Sequence, residues 1–357
     1  MWASAIGAVM AICLSFNSSL ILRSRGCRAA AKSTHRIAGQ FDIPHVFTDA
    51  RDLIRHPDID LVVVLPPAPY HADLVREAIA AGKDVYCEWP LTTTIADTED
   101  LLYQAETAKV RHIVGLQRRM GPSARFVRDL LKEGYVGEMR SIRMHVSMNY
   151  FQGRRSTDLA WTIPPENFSH ILSIYGGHFF DMLFSVVGGP ATLSALVMPQ
   201  FPAITLVETG EAFPDKTPDQ VLVIGTLANG SAFTIQIEGG KRNGSGLRID
   251  ITGTEGDLTI SNPLSFTNFD DNKIEGVKGD NQPLTVLPIP SKYQTVLPSS
   301  LDASVLDLAY LYAAYSSDRE TGSRNAPDFT DAVKMHKLIN LIVDSSEAGT
   351  RKTVDFW

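Results

Sequence analysis

The sequence predicts an α/β Rossmann domain with a doubly wound parallel sheet, followed by an α+β domain with an open, mostly antiparallel sheet. Three observations carry this. At 357 residues the chain exceeds the length at which a single core stops growing, about 250–300 residues, so two domains are expected. From about residue 40 to 137, apolar β-branched runs alternate with amphipathic segments at a spacing of roughly 25 to 30 residues, the rhythm of right-handed βαβ crossovers. After Gly137 the texture changes to long polar/apolar alternations, the mark of antiparallel strands with one covered face. The predicted boundaries are 1–137 and 138–357, with a closing helix over 328–348.

The elements follow in order. The first 22 residues carry no charge, and their basic residues follow the apolar segment rather than precede it. They are read first as a buried strand and helix opening the first domain, with a membrane or secretory targeting segment as the minority alternative. "TDARDLIRHP" is a short helix with Thr48 or Asp49 as N-cap and Pro57 as its stop. "DIDLVVVLPP" has no alternation, so it predicts a strand buried on both faces. "APYHADLVREAIAAGK" is a helix with Leu74, Val75, Ala78 and Ile79 on one stripe and Gly82 at its end. The strand "DVYCE", helix "IADTEDLLYQAETAK", strand "HIVGLQ" and helix "PSARFVRDLLKEG" complete the alternation. Further on, "MRSIRMHVSMNYF" is a strand, Asn229-Gly230 turns a hairpin, and "LRIDITGTEGDLTIS" folds at Gly253 to Gly256. Residues 262–300 read as a loop-dominated excursion, and "SVLDLAYLYAAY" and "DFTDAVKMHKLINLIVDSSEAG" as helices.

Composition excludes several functions. A formal charge of -7 and a pI near 5.7 give no phosphate-binding surface, so direct nucleic-acid binding is not expected. Cys13, Cys27 and Cys87 are too few and too scattered for a disulfide framework or a zinc knuckle, which suits a reducing compartment, cytoplasmic or nuclear. The histidines are scattered as well, and no metal site is expected.

Four stretches, "VVVLPPAPYHADLVREAIAAGKDVYCEWPL", "GLQRRM", "YGGHFFDMLFSVVGG" and "ITGTEGDLTI" with the tail "FTDAVKMHKLINLIVDSSEAGTRKTV", resemble the glucose-fructose oxidoreductase/inositol dehydrogenase (Gfo/Idh/MocA) family. Glu-Trp-Pro at 88–90 and "YGGHFFD" look most like its fungal branch, which includes the galactose-pathway repressor of yeasts. The resemblance implies NAD or NADP at the strand ends, a sugar or polyol as substrate, and homo-oligomer contacts through the sheet of the second domain. A regulatory protein partner is the alternative that the repressor branch implies. Cofactor contacts are expected from Pro66, Pro67, His71, Glu88, Trp89, Gln117 and Arg118, and proton exchange from His178 with Asp181.

Three departures from the family pattern stand out. The Gly-x-Gly-x-x-Gly turn is missing, since Gly7 and Gly26 are the only glycines before residue 39, and no acidic residue precedes Asp42. Trp89 replaces the family's lysine, and an indole donates one hydrogen bond but carries no proton that titrates near neutrality. The residue four after Asp181, a His or Tyr in family enzymes, is Ser185, a hydroxyl that orients but is no base.

Overall fold

The structure, a computed structural model, describes residues 11–17, 21–28, 43–243, 246–265, 269–296 and 301–357. Two compact units divide the chain: the first gathers 1–115, 156–169 and 314–336, the second 116–155, 170–313 and 337–357. The contiguous part of the first unit thus stops at Gly115 rather than Gly137. The helix over 122–132 bonds into the second unit, where the Ser123 amide donates to Asp271 and Asn272 donates to the Ser123 hydroxyl.

The first unit is built on a six-stranded sheet. Its strands are β1 (Ala11–Asn17), β2 (Ile21–Arg28), β3 (His45–Val46), β4 (Leu61–Val64), β5 (Asp84–Cys87) and β6 (His112–Val114), in the spatial order β3-β2-β1-β4-β5-β6. That is the Rossmann order, and β4, β5 and β6 pair in parallel. The expectation of a strand and helix at the start is corrected: β1 pairs antiparallel with both β2 and β4, so a hairpin stands where the first βα turn belongs. Every residue of β4 is at most 2% exposed, as its unbroken apolar run requires. Burying each such Val or Leu stabilises by about 1.5–3 kcal/mol.

Helices α1 (Ala50–Arg55), α2 (His71–Ala80) and α3 (Ile95–Ala108) connect these strands. Asp49 caps α1 by accepting from the Arg51 amide, and Thr94 caps α3 by accepting from the Asp97 amide. Gly82, with φ of 70°, takes the left-handed turn after α2. The free edge of β6 is covered rather than open. The Val114 amide donates to the Pro327 carbonyl, and His112 Nδ1 accepts from the Phe329 amide.

The second unit centres on a nine-stranded mixed sheet. Its inner strands are β7 (Met139–Ser147), β12 (Gln220–Leu227), β13 (Ala232–Glu238), β14 (Gly246–Gly253) and β15 (Gly256–Asn262). Strands β7 and β13 pair in parallel and the other inner pairs are antiparallel. Strand β9 (Pro190–Met198) pairs with β12, β16 (Lys273–Lys278) with β15, β17 (Thr285–Val286) with β16, and β18 (Lys352–Thr353) closes the far edge. A small separate sheet joins β8 (Arg154–Arg155), β10 (Ala203–Leu206) and β11 (Ala212–Pro214). Strands β16 and β17 lie inside the stretch expected to be loop. Strand β16 turns only Ile274 and Gly276 fully inward between exposed lysines, and β17 at the edge is two residues long, so the sequence shows little apolar alternation there. Helix α4 (Pro122–Lys132) and helix α5 (Gly177–Val187) accompany this unit, and α5 is buried on nearly all sides. Helices α6 (Ala303–Thr321) and α7 (Phe329–Ala348) follow. Among the described residues one helical run, Pro165–Val187, is long and apolar enough to cross a membrane, and 72% of its apolar window is buried in the protein.

Candidate active site

In the first unit, β4 ends in Pro66 and Pro67, which cannot continue the ladder. Pro66 is buried and Pro67 half-buried. His71 opens α2 and is 1% exposed, with Nε2 2.5 Å from the Pro66 carbonyl oxygen and Nδ1 2.8 Å from that of Pro90. Burial lowers its pKa, and the two carbonyls pull the other way. The expected ligand-facing histidine is therefore corrected. His71 fastens one strand-end turn to the next and offers neither nitrogen to a ligand.

Glu88 follows β5. The Tyr86 hydroxyl donates to its Oε1 at 2.8 Å, and a Cβ on Gly115 would lie 2.6 Å from its Oε2 and 2.7 Å from the Tyr86 oxygen. A larger residue at 115 would require the carboxyl group and the tyrosine hydroxyl to shift. Burial pushes the Glu88 pKa up to about 7, against the bonds from Tyr86 and the Trp89 amide, although the side chain keeps partial access to solvent.

Trp89 is 5% exposed and precedes a cis proline. Its ring tilts at 59° against His336 with centroids 5.1 Å apart, and Phe168 stacks on His336 at 4.9 Å. The indole expected at a ligand crevice is thus packed inside an aromatic cluster. His336 is 1% exposed, burial takes its pKa down to about 3, and its Nε2 has no hydrogen-bond partner.

In the second unit a 3-10 turn, Gln117–Met120, carries the next two candidates, Gln117 and Arg118. Gln117 presents a buried Oε1 with no hydrogen-bond partner. Arg118 is 6% exposed and lies over the Phe179 ring at 4.8 Å. Burial pushes its pKa down to about 10, opposed by the charge of Asp307, whose own pKa burial pushes up to about 8. Arg119 grips Asp181 in a fork: Nε donates to Oδ2 at 2.7 Å and a terminal nitrogen to Oδ1. Asp181 is 2% exposed, so this guanidinium compensates a buried carboxylate.

His178 and Asp181 both lie on α5, three residues apart as the sequence suggests. His178 is 4% exposed, and burial together with the Arg118 charge brings its pKa down to about 3. It is a neutral imidazole at pH 7. The Ser185 hydroxyl donates back to the Met182 carbonyl of its own helix at 2.8 Å.

Just before α5, a π-helical turn over Leu172–Gly176 holds Tyr175, which stacks on Tyr150 at 5.8 Å and meets the edge of Phe151 at 5.4 Å. Phe151 has φ of 60°, a strained conformation for so bulky a residue, held by close packing on Gly239 and Gly240.

Residues 23–116 match the profile of the oxidoreductase family with an NAD-binding Rossmann fold, and residues 122–262 match the Gal80p C-terminal domain. Residues 23–116 are thus similar to the Gfo/Idh/MocA Rossmann fold and residues 122–262 to the Gal80p C-terminal domain. Among curated relatives, dehydrogenase aclE of Aspergillus oryzae is 32% identical over 46% of this chain and 44% of its own. The galactose/lactose regulatory protein GAL80 of Kluyveromyces lactis is 26% identical over 67% of this chain and 56% of its own. The matches thus span about half the length of these relatives. Among solved structures, a super-repressor mutant of Saccharomyces cerevisiae Gal80p superposes with a TM-score of 0.79 at 20% identity, covering 90% of this chain and 87% of that one. Levoglucosan dehydrogenase in complex with NADH and levoglucosan superposes with a TM-score of 0.78 at 19% identity, covering 91% and 88%. These likenesses show the fold.

The described residues fit a dinucleotide in part. Pro67 and Glu88 lie just beyond parallel strands, where such folds bind nucleotide. The β1–β2 hairpin, however, provides no glycine turn at a helix N-terminus to cradle a pyrophosphate.

Sequence reading passed over Arg119, Asp307, His336 and Phe168, since nothing local marks a partner that is remote in sequence. It also passed over His45, His56 and Asp58, whose ligand atoms all lie within 4.8 Å of one another. The absence of clustered metal-type donors is thereby corrected; His-x-Asp at 56–58, eleven residues after His45, was the signal.

Proposed function

We propose that this chain is an NAD(P)-dependent oxidoreductase acting on a sugar, polyol or related hydroxylated small molecule. The observation that carries the reading is Glu88, a carboxyl group at a Rossmann strand end whose pKa of about 7 suits proton transfer at neutral pH. A bound nicotinamide would supply the hydride acceptor or donor. Glu88 would hold the alcohol proton at a carboxyl oxygen, in the role that the lysine at position 89 plays in the family. His178, with so low a pKa, is a poor base, and Arg119 holds the Asp181 carboxylate on the same helix. The relatives named for dehydrogenase activity, levoglucosan dehydrogenase among them, support the substrate class.

A second reading, a nucleotide-sensing regulator without turnover, is favoured by Trp89. The residue at the lysine position is buried in an aromatic cluster, and residues 122–262 match the Gal80p domain. In either case we propose self-association through the outer face of the large sheet. There Leu196 (47% exposed) sits opposite Leu222 (37%), beside Ile224 (57%).

Titration with NADH and NADPH, followed by tryptophan fluorescence and by assays against a panel of sugars and polyols, separates the readings. Turnover lost in Glu88→Gln supports the enzyme. Saturable dinucleotide binding with no turnover supports the regulator, and no binding of either dinucleotide refutes both.

A further inference from the structure

We propose that His45, His56 and Asp58 form a surface site for a divalent transition metal of the zinc class, in the first unit and apart from the residues described above. His45 Nε2 lies 3.4 Å from Asp58 Oδ2. Two ligands each about 2.1 Å from a tetrahedral zinc are separated by about 3.4 Å, so this pair already stands at ligand spacing. The His45 and His56 rings face each other with centroids 4.4 Å apart, and Phe47 packs against both, at 6.2 Å and 5.5 Å. All three donor atoms lie within 4.8 Å of one another, so the widest pair needs to close by no more than about 1.4 Å, within reach of side-chain rotation.

The backbone that presents these side chains is fastened. Capped α1 separates His45 from His56. The Lys83 ammonium donates to the His56 and Ile59 carbonyls at 3.0 Å and 2.7 Å, which fixes the loop bearing Asp58. The Asp58 amide donates to His56 Nδ1 at 3.3 Å, a long bond that a metal displaces easily. The side chains of His45 and Asp58 are 33% and 56% exposed, so the metal has an entry path and water completes the coordination. Two imidazoles and one carboxylate select zinc, cobalt or nickel over calcium and magnesium, which prefer all-oxygen shells. The bound ion would tie β3 to the loop after α1.

The same 3.4 Å contact would arise from a simple ion pair between a protonated His45 and Asp58, so the test must see the metal. Full-length, metal-free protein is titrated calorimetrically with zinc chloride and optically with cobalt chloride, thiols being alkylated beforehand. Expected are one equivalent of binding, a tetrahedral cobalt d–d band, and a higher melting temperature with zinc. His45→Asn, His56→Gln and Asp58→Asn should each weaken binding at least tenfold, while His145→Ala, which alters another histidine–carboxylate pair, should leave it unchanged. Folding of each variant is checked by circular dichroism. If any of the three variants binds as the wild type does, if His145→Ala abolishes binding, or if cobalt gives no tetrahedral band, the site is refuted.

Discussion

Replacing Glu88 by Gln should change how stability depends on pH, by an amount the structure sets. The native pKa is raised to about 7 from an unfolded value of 4.5, so the folded state holds its proton more tightly. Stability is then greatest below about pH 4.5 and is lost as pH rises through about 7, because native Glu88 must ionise in a site that disfavours the charge. Linkage puts the loss between pH 5 and 9 at roughly 2–3 kcal/mol, and at roughly 1–2 kcal/mol once partial solvent access is allowed for. Gln keeps the shape and an acceptor for the Tyr86 hydroxyl but has no proton to lose. Urea unfolding of both proteins, followed by tryptophan fluorescence from pH 5 to 9, should show the wild type losing that much more stability than the variant. Parallel curves would mean that the carboxyl is ordinarily solvated, and would remove the basis for assigning it a proton-transfer role.

Other substitutions test neighbouring parts of the structure. Arg119→Ala strands the buried Asp181 carboxylate and should destabilise by about 3–5 kcal/mol in denaturant unfolding, with much of that recovered when Asp181→Asn is added. His336→Phe removes a buried nitrogen that has no partner, and should leave stability unchanged or raise it by about 1 kcal/mol; a large loss would show that Nε2 is satisfied in solution. Trp89→Lys places an ammonium where 5% of the indole is exposed, and should lower the melting temperature by the equivalent of about 3 kcal/mol or more; an unchanged melting temperature would mean that the position opens to water.

The parallel core was legible because its signal is local. "LVVVL" reads as a doubly buried strand, and Asp49 and Gly82 mark helix ends within a few residues of themselves. Strands β16 and β17 were not, because one buried isoleucine and a glycine in β16 and two residues in β17 are too few to display an apolar period. The reversed β1 was not legible either, since a strand's pairing direction is absent from its own composition. For the candidate site, the stretches were legible and the side-chain directions were not. His71 and Trp89 sit in the turns that the sequence marks, yet both point inward, because inward direction depends on acceptors and rings from residues 66, 90, 168 and 336.

The indole at position 89 and the raised pKa at position 88 belong to one physical change. A lysine beside Glu88 would place a cation within a few ångströms of its carboxyl and favour the ionised form, by about 1–3 pH units for a close partner. With Trp89 there instead, nothing that shifts Glu88 is cationic; burial raises its pKa, and only the Tyr86 hydroxyl and a backbone amide oppose it. Loss of a titratable group at 89 therefore leaves behind a titratable group at 88 with the pKa that the lost lysine would need for the same task. Gly115 then becomes more than a spacer, because a methyl group there would collide with both the carboxyl and the tyrosine that hold this arrangement. Burial raises the pKa of the Asp271 and Asp307 carboxyl groups as well, so a raised pKa alone does not separate catalysis from packing, and loss of turnover in Glu88→Gln is the result that places the enzyme ahead of the regulator.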